Sequence, residues 1–77
     1  AEADARSAVR QVPADVPAQH ARDRFDVIRE EFCAALRERL RARHVPAQAV
    51  DEAVESLRAA VALAAAEEVA LRADSAL

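Results

Sequence analysis

The sequence predicts an all-α fold, an antiparallel helical hairpin with a short N-terminal helix that completes a four-helix bundle by dimerisation. Three observations carry this. Apolar residues recur at steps of three and four through both long segments, which is the period of a helix face and not of a strand. Prolines stand only at positions 13, 17 and 46, where they cut the chain into helix-length pieces. There is no Gly, and strong helix formers (Ala, Leu, Arg and Glu) fill the stretches between the prolines.

Taken in order, residues 1–16 form the short N-terminal helix and a proline-containing connector. Ala5, Ala8 and Val9 fall loosely on one side of residues 1–11, which predicts a short docked helix, with a frayed tail as the alternative. Pro13 and Pro17 each remove a backbone donor and disfavour helix just before them, so 12–16 should be extended. The hairpin takes residues 17–77, with long helices over about 17–43 and 46–74. Pro17 suits a first turn, where Gln19 can reach back to the free N–H groups. The first long helix buries Ala21, Phe25, Ile28, Phe32, Ala35 with Leu36, and Leu40. Arg37, Arg39, Arg41 and Arg43 crowd its last turns, where positive charge complements the helix dipole. Pro46 then leaves His44 and Val45 as a tight turn. The second long helix carries a seam of Val50, Val54, Leu57, Val61 and Ala64. Ala59, Ala60, Ala62, Ala65 and Ala66 keep the surface around that seam shallow.

Val16-Pro17-Ala18-Gln19 recurs twenty-nine residues later as Val45-Pro46-Ala47-Gln48. The apolar positions after it correspond: Ala21 with Val50, Phe25 with Val54, Ile28 with Leu57, Phe32 with Val61. Either the helices are a degenerate duplication or they share one design in a biased composition. Folding the chain back about His44 and Val45 sets Phe25 opposite Ala64 and Ala65, Phe32 near Leu57, and Leu40 near Val50. Charge supports that register. Residues 22–44 carry seven Arg against five acids, and 45–77 carry two Arg against six acids. The arginine-rich end then lies beside Asp51, Glu52 and Glu55. In this register Phe32→Ala is expected to cost more than Phe25→Ala, which only alanines face.

Seventy-seven residues with two aromatics make a small core, which is why a second copy or another helical protein is expected as partner. Leu63, Ala66 and Ala70 lie opposite Val54 and Val61 and add a second apolar side that a lone hairpin leaves in water. Net charge −3 argues against a nucleic-acid partner. The arginines at 37, 39, 41 and 43 fan over two helix sides without interleaved aromatics. No apolar run reaches the ~18 residues of a membrane span. Ala1-Glu2-Ala3 suits a mature end after signal-peptide cleavage, and equally Met removal or a trimmed piece. The compartment stays open, the cytoplasm being preferred to the periplasm or secretion.

The chemistry the chain offers is sparse. His20 and His44 lack further ligands at metal spacing, so neither a metal nor a cofactor is expected. Three serines have no evident base, and no phosphate loop is present. Arg39, Arg43, Glu68 and Arg72 fall on the apolar stripes, and such a cluster inside a bundle suits a small anionic ligand. The competing reading places both helix ends out in water, where such residues cost nothing. Cys33, at the flank of the stripe, reads as a small hydrophobe or as one half of a disulfide to a second copy.

The leading functional reading is therefore a non-enzymatic interaction module. Its contact residues are Phe25, Ile28, Phe32, Leu36, Leu40, Val50, Val54, Leu57 and Val61. The Ala- and Arg-rich composition resembles that of short periplasmic helical-hairpin stress proteins, and the Val-Pro-Ala-Gln repeats resemble their Leu-Thr-x-x-Gln motifs. That resemblance implies, as an alternative, a periplasmic stress or chaperone-like role through an exposed apolar surface. A small all-helical enzyme using the Arg and Glu cluster is the second alternative.

Overall fold

The computed structural model describes residues 2–75. Three helices follow one another: α1 (Glu2–Gln11), α2 (Ala18–Ala42) and α3 (Ala47–Ser75), with no strand among the described residues. The molecule is a rod of 48 × 18 × 15 Å. Its length is set by the two long helices, since 29 residues at ~1.5 Å each span about 43 Å.

The two proline-led starts are built alike. Each long helix begins one residue later than the sequence suggests, with proline just outside it. The Pro17 carbonyl accepts the Ala21 N–H at 2.9 Å, and the Pro46 carbonyl accepts the Val50 N–H at 3.0 Å. Gln19 does not cap its helix as expected, because its amide points along the helix to Asp23 Oδ1 at 3.5 Å. Residues 12–16 are also not extended. The Val16 N–H closes a turn on the Pro13 carbonyl at 3.3 Å, and this turn folds α1 back onto the hairpin.

The hairpin turn manages without glycine. His44 has φ 60°, the left-handed conformation that normally costs a β-carbon-bearing residue about 1–2 kcal/mol. Two hydrogen bonds hold it there: the His44 N–H donates to the Arg41 carbonyl at 3.0 Å and the Val45 N–H to Leu40 at 3.1 Å. This is the Schellman pattern of a helix end. Leu40 and Val45, the pair that normally makes its hydrophobic contact, both pack against the core. α2 and α3 are antiparallel, as two ion pairs across them show. Arg37 binds Asp51 at 2.8 Å near the turn, and Arg58 binds Glu30 further along.

α1 changes the core from that of a hairpin to that of a three-helix bundle over half its length. Ala5 and Val9 are buried, and one continuous cluster joins them to Ala21, Phe25, Val54 and Val61. α1 and Val12 thus share the core of the hairpin. Phe25 is 3% exposed, while Phe32 is only partly buried. Phe25 also lies beside Val69 and Arg72, beyond the alanines that the fold-back alignment sets opposite it. The cause is the lean of helical side chains toward their own N-terminus. Phe25 leans toward the open end of the hairpin, Arg72 leans back toward the turn, and the two meet.

This burial reverses the expected order of the phenylalanines. Phe25→Ala should cost about 3–5 kcal/mol, the range for a fully buried aromatic, and Phe32→Ala clearly less. Urea denaturation followed by circular dichroism checks it, and a larger loss at Phe32 would contradict the packing described here.

Candidate functional site

Two features stand out beyond the buried core: a polar knot at the open end and, toward the turn, a stretch of the α2–α3 seam that α1 does not reach.

The knot centres on Arg72. Its Nε donates to Glu68 Oε1 at 3.2 Å, one helical turn back. Its two terminal nitrogens donate to the carbonyls of Val12 and Pro13, the first groups past the end of α1. Its guanidinium carbon lies 5.6 Å from the centre of the Phe25 ring. One side chain of α3 therefore touches α2 and satisfies backbone acceptors at the end of α1. A helix C-terminus favours a cation, and here it receives one. Glu68 and Arg72 are both about four-fifths covered, so they do not rise out into water as their position near a helix end suggests. All three hydrogen bonds of Arg72 stay within the chain, so the knot fastens the end of α1 to α3.

Arg39 and Arg43 do not join it. Both are exposed beside the turn, at the opposite end of the rod, so the four polar residues on the stripes do not make one cluster. The antiparallel fold itself separates them, because late residues of α2 and late residues of α3 lie at opposite ends. Among the described residues no group of three or more His, Cys, Asp or Glu has metal-binding geometry.

The second feature is set by how far α1 reaches. Val12 lies at the level of Arg72, and Ala8 and Gln11 share a crevice with Arg24, Val27 and Ile28. α1 therefore covers the open half of the hairpin only, running parallel to α3 with its first turn near mid-rod. Beyond it, Phe32, Leu36, Leu40 and Val45 pack against the core that holds Val50 and Val54, and are themselves only partly buried. Of the contact residues expected from sequence, Phe25, Val50, Val54, Leu57 and Val61 are buried inside this chain. Ile28, Phe32, Leu36 and Leu40 retain exposed surface. Val27, Leu63 and Leu71 are more than half exposed, and of these only Leu63 stands out in the sequence.

On the flank away from α1, Glu30 binds Arg58 and also Arg29 at 3.0 Å. Arg29, then Arg58, hold its carboxyl below the usual carboxylate range. Such surface pairs fix register more than they stabilise. Beneath them Cys33 is 2% exposed, and its thiol is 3.9 Å from the Val54 carbonyl. Burial pushes the thiol up, so the thiolate needed for disulfide chemistry is disfavoured. A disulfide to a second copy would require Cys33 to leave the core, and the hydrophobe reading fits it better.

No protein-family model matches the chain, and no curated protein or solved structure matches it either. No helix of the described residues is long and apolar enough to cross a membrane.

The knot makes a direct prediction. Arg72→Ala leaves two carbonyls and a largely covered Glu68 unpaired, and should cost about 1–3 kcal/mol. Arg72→Lys should recover little, since an ammonium lacks the fork that serves three acceptors. Limited proteolysis across residues 12–16 should cut both variants faster than the parent, and equal cutting would show that Arg72 does not hold α1.

Proposed function

We propose that the chain is a non-enzymatic helical interaction module whose partner surface is the groove of the turn half. The observation that carries this is the contrast between the two halves of one hairpin. In the open half, α1 lies over the seam and Phe25 is buried, with Ile28 and Val69 partly covered beside it. In the turn half the same seam continues without a third helix, and Phe32, Leu36 and Leu40 stay partly in water. Two helices cannot cover each other's apolar stripes completely, and the usual remedy is a further helix in the groove between them. Close packing of that kind requires shallow side chains, and Ala49, Ala53 and Ala60 of α3 supply them.

The module reading covers pairing with a second copy or with another helical protein. Self-pairing is the simpler case, because one patch then serves both partners and the product is the four-helix bundle of the turn halves. The chemistry of the chain favours this over catalysis. The Arg72 and Glu68 pair is engaged at the end of α1.

Light scattering across a concentration series tests the reading. A folded dimer should form at micromolar concentration and dissociate on dilution. A folded monomer at every concentration would remove self-pairing and leave a different helical protein as partner.

A further inference from the structure

At the open end of the rod the connector crosses the ends of α2 and α3 without filling the space between them. Ala14 and Val16 of the connector, Ala21 and Phe25 of α2, and Val69 and Ala73 of α3 wall a cavity of about 370 Å³. Arg72 sets the height of the connector by donating to the Val12 and Pro13 carbonyls. The wall is mostly alanine, so the side chains that meet there are too short to close it.

The charges on this wall have one sign. Arg22 and Arg72 line the cavity, and no carboxylate does. Arg72 is balanced by Glu68, to which its Nε donates. Arg22 is not balanced. It is exposed and makes no hydrogen bond or ion pair with a described residue. Asp26, the acid one turn further along α2, is paired with Arg29 at 3.5 Å. The neighbouring crevices hold Glu68 or Asp23 in their walls and would repel an anion.

We propose that this cavity binds a small alkyl carboxylate, its chain against Val16, Phe25 and Val69 and its head group on the Arg22 guanidinium. An apolar wall with one convergent polar group is the usual make-up of a small-molecule site, and the volume lies in the lower part of the range for such sites. At roughly 30 Å³ for each water-sized group, the space takes about ten non-hydrogen atoms, the size of octanoate. A single unpaired guanidinium suits one planar carboxylate, which accepts two parallel N–H bonds, better than a more highly charged group. The cavity lies at the opposite end of the rod from the turn half, so it does not depend on what pairs there.

Titration of the full chain with sodium octanoate, followed by two-dimensional NMR, tests the site. Shifts should saturate with a Kd below about 1 mM and concentrate at Val16, Ala21, Phe25, Val69 and Ala73. Hexanoate, with two fewer methylenes to bury, should bind about tenfold more weakly. Arg22→Gln, at an exposed position, should weaken octanoate about fivefold and leave octanol unchanged. Ala73→Leu, also exposed in the parent, should fill the cavity and remove binding of both. Three results would overturn the proposal: no saturation by ~10 mM octanoate, shifts spread over exposed Val27, Leu63 and Leu71 instead, or an affinity indifferent to both substitutions.

Discussion

The guanidinium of Arg72 joins the three helices at the point where they would otherwise come apart. α1 is ten residues long, too short to persist as an isolated helix in water, so it exists because it is docked. Docking buries Ala5 and Val9, but it also ends the helix against the hairpin, where free carbonyls would be costly to cover. Arg72 removes that cost by donating to Val12 and Pro13, with Glu68 and the Phe25 ring fixing its own position. The burial of Phe25, the sealing of the open half and the direction of α1 all depend on this contact.

The same contact defines what the chain lacks. Anchored at the level of Arg72, α1 runs out near mid-rod, and the hairpin goes on without it. The turn half is held by the Schellman turn at His44, by the Arg37–Asp51 pair and by α2 side chains laid over Val50 and Val54. Those side chains are sufficient to bury the valines and insufficient to be buried themselves. A structural shortage of cover in one half and a surplus of unpaired arginine at its end are therefore two aspects of one arrangement.

Much of this was legible in the residues. The three-and-four spacing of Val50, Val54, Leu57 and Val61 marks the buried face of α3, and Pro17 and Pro46 mark the helix starts to within a residue. The charge asymmetry points to the Arg37–Asp51 pairing. The role of Arg72 was not legible, because its partners are backbone carbonyls sixty positions away and carry no side-chain signature. The relative depth of the two phenylalanines was hidden for the same reason. Periodicity puts both on one face, and only the placement of α1, decided by Ala5, Val9 and the turn at 13–16, tells which one is covered. The polar residues on the stripes looked alike in sequence, yet antiparallel folding sends Arg39 and Arg43 to one end and Glu68 and Arg72 to the other.

Residue-resolved hydrogen exchange, measured at a dilution where the chain is monomeric, tests most directly that the rod is sealed in one half and open in the other. Amides of α1 from Ala5 to Gln11 and of α3 from Val61 to Arg72 should be the most protected, because their opening requires breaking the three-helix core. Amides of α2 from Leu36 to Leu40 should exchange faster. Protection that is uniform along both long helices, or highest toward the turn, would contradict the division of the molecule into a closed half and an open one.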